Sequence, residues 1–308
     1  MTQTIAFAGK GGTGKTSICG VVVDYLVRAG KTPVLAVDAD ANSNLNEVLG
    51  VEVDKTLGEI REIIAHAELA TESPIPSGMS KQDYAEYQFS SALMELDDFD
   101  LLVMGRTQGQ GCYCYVNGVL KNQIDKYAKN YNYVVVDNEA GLEHISRGVL
   151  PKVDVMLLVS DCSRRGIQAA GRLQTMIGEL GLKPAQLKLI VNRAPAADGA
   201  AVVETDVAGA GIAAGADAAP AGAGVAAGAD AAPAAEPAAE AVTAPAFAAP
   251  LEAGIVEEIA AQGLSLAGVV PTDEAVYRFD AQGKPTVTLP ESTPFKQAVY
   301  AILKELGI

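Results

Sequence analysis

Residues 9–16 read Gly-Lys-Gly-Gly-Thr-Gly-Lys-Thr, the pattern of a loop that binds phosphate groups. The apolar run 4–8 precedes this loop, and residues 17–23 can continue it as a helix. At the start of a helix, backbone N–H groups converge on phosphate oxygens, Lys15 neutralises the β- and γ-phosphates, and the Thr16 hydroxyl ligates Mg²⁺. The residues predicted to hold the phosphates are Gly11, Gly12, Thr13, Gly14, Lys15, Thr16 and Ser17.

Three carboxylates follow apolar runs. A magnesium–nucleotide site needs such groups to accept hydrogen bonds from metal-bound and attacking water. Asp38 and Asp40 close one run and Asp137 closes another. We predict that Asp38 faces the magnesium shell, that Asp40 orients an attacking water, and that Asp137 accepts from a magnesium-bound water. Gly141 follows Asp137 closely, and its N–H is predicted to contact the γ-phosphate as a switch. The alternative is that these are solvated turn residues.

Cys112 and Cys114 offer two thiolates in a glycine-flanked loop. Two sulfurs can hold one ion, but they leave a tetrahedral or square-planar site half filled. We therefore predict that a second copy of the chain completes the site with two more sulfurs, which suits Ni²⁺ or Zn²⁺. The alternative is a pair of buried structural cysteines. Cys19 is expected to be a buried apolar residue of the first helix, and Cys162 is expected in a loop after a strand.

The elements that must position these residues are short apolar runs separated by helical segments. The runs are residues 4–8, 34–37, 101–104, 133–136, 155–159, 187–191 and 265–270. Runs of this kind, buried on both faces, predict an α/β fold in which helices flank a mostly parallel sheet. In such a fold the functional residues collect at the carboxyl ends of the strands.

The composition changes abruptly within the chain of 308 residues, which carries a net charge of −15 and four cysteines. Alanine, glycine and proline dominate residues 196–250, and the nonapeptide 213–221 recurs at 226–234. Such a tract cannot bury enough apolar surface to offset its conformational entropy. We predict one domain over residues 1–308 with a disordered, low-complexity insertion at 196–250. The alternative is an acidic tether that contacts a partner.

Charge and hydropathy exclude some classes of function. The acidic balance disfavours nucleic acid as a partner, and no apolar stretch is long enough to span a bilayer. The sequence runs from Met1 into the first predicted strand without a basic and then apolar leader, so we expect a cytoplasmic location. In that reducing compartment the cysteines are expected to be free thiols or metal ligands.

Lys10, directly after the first glycine of the loop, gives the pattern K-G-G-x-G-K-T. This pattern resembles the deviant Walker A motif of the MinD, ParA and nitrogenase iron protein superfamily of P-loop ATPases. The resemblance implies a homodimer that sandwiches two nucleotides, with Lys10 reaching the phosphates held by the partner. A second ammonium group there would stabilise developing charge as an arginine finger does in trans.

Within that superfamily the chain most resembles the CooC-type ATPases, which assist nickel insertion into carbon monoxide dehydrogenase. The matching segments are residues 38–45, 105–106, 111–117, 137–144 and 160–166. The resemblance implies an ATPase that uses ATP and Mg²⁺, binds Ni²⁺ or Zn²⁺ through Cys112 and Cys114, and serves the apo-enzyme. The insertion at 196–250 is a departure from the family.

Two late segments are predicted to recognise the base. The Asn192 side-chain amide can pair with an adenine edge, as the matching Asn-Arg of the superfamily does, and Arg193 follows it. Pro271 and Asp273 resemble the superfamily segment that flanks the purine. Adenine is favoured over guanine because an N-K-x-D signature is absent from the sequence. Either segment could instead cap a strand.

Three other functions stay open at this stage. The first is a nickel-insertion ATPase whose client is acetyl-CoA synthase instead of carbon monoxide dehydrogenase. A MinD- or ParA-like positioning ATPase normally requires a basic tail or surface, whereas residues 295–306 have the spacing of a core-packed helix. An electron-transfer protein like the nitrogenase iron protein would need a cysteine near the switch, and residues 137–146 contain none.

Overall fold

The computed structural model describes residues 2–40, 42–69, 75–105, 124–138, 152–195 and 251–308. Cys112, Cys114, Gly141 and the insertion at 196–250 lie outside the described residues. The predictions made for them are therefore carried forward as predictions.

One sheet forms the centre of the described chain. Its strands are β1 (Gln3–Gly9), β2 (Val34–Ala39), β3 (Met94–Glu95), β4 (Asp100–Val103), β5 (Tyr133–Asn138), β6 (Val155–Asp161), β7 (Gln186–Ala194) and β8 (Leu266–Pro271). They lie in the order β3-β4-β2-β5-β1-β6-β7-β8, and all pairs are parallel except β3 with β4. This arrangement confirms the predicted mostly parallel sheet, and each predicted apolar run overlaps a strand. The two-residue antiparallel edge strand β3 was not predicted.

Helices cover both faces of this sheet. They are α1 (Lys15–Arg28), α2 (Leu45–Leu49), α3 (Leu57–Leu69), α4 (Lys81–Ser90), α5 (Arg164–Glu179), α6 (Ala253–Ala261), α7 (Glu274–Ala281) and α8 (Pro294–Glu305). Residues from α1 and α8 form one buried apolar cluster with the sheet, and residues from α3, α4, α5 and α6 form the other. The central parts of the strands are mostly apolar because both faces of the sheet are covered.

The C-terminal helix α8 packs into the core, as its spacing predicted. Phe295, Val299, Ile302 and Leu303 are buried against the face that also receives α1. Within the described part of the chain, no helix is long and apolar enough to cross a membrane.

The register brings the predicted functional residues to one edge of the sheet. Asp38 of β2 pairs in register with Asp137 of β5, which in turn pairs with Phe7 of β1. β1 continues into the glycine-rich loop two residues later. The carboxyl ends of β1, β2 and β5 therefore place two aspartates beside the loop.

Candidate functional site

The glycine-rich loop joins the buried strand β1 to the first residue of α1. Gly12 and Gly14 have φ angles of 81° and 87°, a left-handed conformation that glycine adopts without a steric penalty. The Thr13 hydroxyl donates to the Lys10 carbonyl oxygen at 2.9 Å, which closes the turn. Lys15 is buried, whereas Lys10, Gly11 and Gly12 are exposed. The loop thus presents the positive end of α1 with a buried ammonium group behind it.

Asp137 is almost fully buried on the side of the sheet that faces α1. It accepts a hydrogen bond from the Thr16 hydroxyl, and the charge of Lys15 lies near enough to stabilise its ionised form. Burial nevertheless dominates and raises the pKa of Asp137 to about 7. Among the described residues, its Oδ1 atom has no hydrogen-bond partner. An unpaired buried carboxylate oxygen is costly, and it is satisfied when a donor or cation enters the site.

Asp38 shapes the turn after β2. Its Oδ1 accepts from the Asp40 backbone N–H at 3.0 Å, and its Oδ2 accepts from the Leu45 N–H, also at 3.0 Å. Burial raises the pKa of Asp38 to about 6 despite these hydrogen bonds. Asp40 is less buried, and its Oδ1 accepts from the Asn42 N–H at 2.8 Å. The two carboxylates therefore share one turn, and Asp38 holds the backbone from which Asp40 projects.

Asn138 is a polar residue of this region to which the sequence analysis assigned no role. Its Nδ2 donates to the Phe7 carbonyl oxygen at 2.8 Å, where the β1–β5 ladder ends. Its Oδ1 is buried and has no partner within the part of the chain that the structure describes. The sequence did contain a signal for a functional role of Asn138. It is an amide residue directly after Asp137, at the end of a predicted buried strand.

Asn192 and Arg193 lie at the end of β7. The Asn192 Nδ2 donates to the Thr13 carbonyl oxygen at 2.8 Å, and its Oδ1 accepts from the Arg193 N–H at 2.9 Å. Arg193 has a φ angle of 58°, and its guanidinium carbon lies 5.9 Å from the centroid of the Tyr277 ring. Asn192 therefore contacts the phosphate loop, and its predicted role at the adenine edge stays a prediction.

The second predicted base segment follows β8. Pro271 pairs in register with Ala194, which places the two segments side by side. Asp273 is the N-cap of α7: its Oδ1 accepts from the Ala275 N–H at 2.9 Å, and its Oδ2 accepts from the Phe295 N–H at 3.2 Å. Asp273 thus caps the start of a helix, a role that the sequence analysis did not name, and its place beside the purine stays a prediction.

In both described cysteines the pKa of the thiol is raised, which disfavours the thiolate form. Cys19 is buried in α1, as predicted, and burial together with nearby Asp137 and Asp38 raises the pKa of its thiol well above the usual value. Cys162 lies after β6, and burial raises the pKa of its thiol to about 11. No group of three or more histidine, cysteine, aspartate or glutamate side chains in the described ranges could hold a metal ion.

The residues around the loop fit a magnesium nucleotide. The start of α1 and the buried Lys15 suit phosphate oxygens, and the Thr16 hydroxyl lies against Asp137. The unpaired Asp137 oxygen supplies an acceptor for a metal-bound water. A buried strand, a glycine-rich loop, a helix with a buried lysine, and strand-end carboxylates together define a P-loop nucleotide-binding protein.

Comparison with known proteins places the chain in a family. A family model described as an AAA domain matches residues 2–189, and the chain belongs to this family of P-loop ATPases. An uncharacterized ATP-binding protein of Methanocaldococcus jannaschii, MJ0685, is 45% identical over 189 residues, which is 61% of this chain and 74% of that protein. The carbon monoxide dehydrogenase accessory protein CooC of Rhodospirillum rubrum is 29% identical over 190 residues, or 58% of this chain and 70% of CooC.

Solved structures show the same fold. The septum site-determining protein MinD of Pyrococcus horikoshii, complexed with Mg-ADP, superposes with a TM-score of 0.58 and 19% identity. The match covers 99% of this chain and 96% of MinD. The fold is therefore the MinD/ParA-like P-loop ATPase fold.

Proposed function

We propose that the chain hydrolyses ATP to ADP and phosphate at the loop formed by residues 9–16. The observation that carries the proposal is the buried Asp137, with an oxygen that has no partner among the described residues, beside Lys15 and Thr16. A purely structural loop gains nothing from a buried, half-satisfied carboxylate, whereas a magnesium nucleotide site requires one. The family match to residues 2–189 supports the same activity.

In this proposal the loop residues bind the phosphates, and the carboxylates orient the attacking water and the metal-bound waters. The loop N–H groups and the Lys15 ammonium bind the β- and γ-phosphates, and Asp40 orients the water that attacks the γ-phosphate. Mg²⁺, held through the Thr16 hydroxyl and through waters that donate to Asp38 and Asp137, neutralises phosphate charge when bound. Lys10 is exposed, so it is available to phosphates held by a second copy of the chain.

Phosphate release measured with and without Mg²⁺ tests this activity. We expect Asp40→Asn to retain ATP binding but to lose turnover by at least about 100-fold, because its role is confined to the attacking water. Lys15→Ala should lose binding as well. Asp54→Asn, a change at an exposed carboxylate, is the control and should retain wild-type turnover. Turnover that survives both Asp40→Asn and Lys15→Ala would contradict the proposal.

We further propose that hydrolysis drives the handling of Ni²⁺ or Zn²⁺ by Cys112 and Cys114 of two chains, and that the client is carbon monoxide dehydrogenase. The Cys-x-Cys sequence and the 29% identity to CooC support this part of the proposal. A reducing cytoplasm would keep these thiols available for the ion. Opening and closing of the nucleotide-bound dimer would change the geometry of the four sulfurs and release the cargo.

Reconstitution from purified components tests the client. Nickel-free carbon monoxide dehydrogenase, Ni²⁺ and the reduced chain should yield active enzyme faster with ATP than without it, and Cys112→Ala/Cys114→Ala should abolish that gain. Stimulation of nickel-free acetyl-CoA synthase alone would move the assignment to that client. Stimulation of neither would favour a positioning or regulatory ATPase of the MinD/ParA type.

A further inference from the structure

The side chain of Asn192 is fixed between the phosphate loop and strand β7. Its Nδ2 donates to the Thr13 carbonyl oxygen at 2.8 Å in a buried hydrogen bond. Its Oδ1 accepts from the Arg193 N–H at 2.9 Å, and only 4% of the residue is exposed. Both ends of the amide are thus engaged in hydrogen bonds within the protein.

The loop is shaped around this amide. A Cβ atom added at Gly14 would collide with the Asn192 Nδ2, and Gly14 also has a φ angle of 87°. Glycine at position 14 therefore does two things: it permits the left-handed turn, and it lets the Asn192 amide pass close to the loop backbone. The Thr13 carbonyl and the Gly14 backbone together form the contact surface for the Asn192 side chain.

The strand side of the contact is equally constrained. Asn192 pairs in register with Asp161 of β6, so its backbone is part of the sheet rather than of a loose loop. Its carbonyl oxygen accepts from the Cys162 thiol, with sulfur and oxygen 3.8 Å apart. A side chain that projects from such a backbone can fix the position of the more open loop that it touches.

We propose that Asn192 is a positioning residue for the phosphate loop, and that it acts on every triphosphate ligand whatever base the ligand carries. By holding the Thr13 carbonyl, Asn192 orients the following N–H groups of the loop toward the phosphates. The inference rests on the proposed function, because it assumes that the loop binds a triphosphate. It differs from the role at the adenine edge, which would act only on ligands that have a base.

Inorganic tripolyphosphate separates the two roles, since it offers the phosphates without a base. Asn192→Asp replaces the N–H donor with a carboxylate oxygen that faces the Thr13 carbonyl. We expect the affinities for ATP and for tripolyphosphate, measured by calorimetry with Mg²⁺, to fall together by at least about tenfold, because the buried hydrogen bond that holds the Thr13 carbonyl is lost. Their ratio should stay at its wild-type value. A loss confined to ATP, with tripolyphosphate binding unchanged, would overturn the inference.

Two further variants keep the test decisive. Asn192→Ala removes the donor without adding charge, and it carries the comparison if Asn192→Asp does not fold; wild-type affinity for tripolyphosphate in this variant would overturn the inference. Asn132→Asp makes the same chemical change at an exposed amide that donates to the Thr32 carbonyl, and it should leave both affinities unchanged. A wild-type chain that binds neither ligand would instead refute the proposed ATPase function.

Discussion

At the scale of single residues, the site places two buried carboxylates on neighbouring strands. Asp38 and Asp137 pair in register on neighbouring strands, and burial raises the pKa of both, to about 6 and about 7. The charge of Lys15 offsets the rise in the pKa of Asp137 only in part. Such an arrangement lowers the stability of the ligand-free chain, and it is relieved by a bound cation.

Replacing Asp137 should change how stability depends on pH. Because the pKa of Asp137 is raised from 3.8 to about 7, the folded chain keeps a proton that the unfolded chain releases. The free energy of unfolding therefore falls as pH rises through this interval. Asp137→Asn cannot release a proton, so at pH 8 the variant should be more stable than the wild type by about 4 kcal/mol, the value of about three pKa units, with little difference near pH 4.

Urea unfolding of the ligand-free chain at several pH values measures this effect. The raised pKa of Asp38 should leave a smaller decline with pH in the Asp137→Asn variant. Parallel pH profiles for the variant and the wild type would show that Asp137 is ionised in the folded chain and would contradict the account of its burial.

The action of Lys10 in trans can be tested by mixing two inactive variants. Lys10→Ala should fold normally, because Lys10 is exposed, yet it should lose ATP hydrolysis. Asp40→Asn should be inactive for a different reason. In a mixed dimer, the Lys10→Ala chain keeps an intact Asp40 and receives the lysine of its partner, so an equal mixture should recover about a quarter of wild-type turnover. No recovery on mixing would assign the lysine to its own chain.

At the scale of elements, α1 is held from behind by the C-terminal helix α8. Lys296 of α8 is fully buried, and its ammonium donates to the Asp24 carboxylate at 2.8 Å and to the Val287 carbonyl at 2.6 Å. Burial alone would raise the pKa of Asp24, but hydrogen bonds from Lys296, Tyr300 and Arg28 outweigh it and lower that pKa. The helix that presents the phosphate loop is therefore anchored by charge as well as by apolar packing.

Breaking this anchor should destabilise the chain without touching the nucleotide site. Lys296→Met keeps an unbranched side chain of similar bulk but removes the ammonium group, which leaves Asp24 with fewer partners, so the free energy of unfolding should fall by about 2–3 kcal/mol. Lys304→Met, at an exposed position of the same helix, is the matched control and should change it by less than about 0.5 kcal/mol. Equal values for the two variants in urea unfolding would show that the buried ion pair contributes nothing.

The sequence predicted the strands and the glycine-rich loop better than it predicted hydrogen bonds between distant residues. The apolar runs predicted the strands because residues covered on both faces must be apolar, and the loop glycines predicted the turn because few other patterns have that spacing. Strand β3 could not be predicted because two residues are too few to show an apolar run or an alternation. The hydrogen bond of Asn192 to Thr13 joins residues 179 positions apart, and the capping role of Asp273 toward Phe295 depends on helix packing. Such contacts are set by tertiary structure.

At the scale of the whole molecule, the proposed function requires two chains. Lys10 is assigned to phosphates held by a partner, and Cys112 and Cys114 supply only half of a four-sulfur site. Both assignments place functional groups at one two-fold axis, so nucleotide binding and metal binding should favour the same dimer. The insertion at 196–250 stays a prediction from the composition alone.

Metal stoichiometry measured together with molecular mass tests this coupling most directly. The reduced, metal-free chain would be titrated with Ni²⁺ and with Zn²⁺, with and without ATP, while thiolate charge-transfer absorption and light scattering are recorded. The account predicts half an ion per chain in a particle of two chains, and both the ion and the metal-dependent dimer should be lost in Cys112→Ala/Cys114→Ala. A chain that binds no stoichiometric metal, or one ion in each monomer, would contradict it.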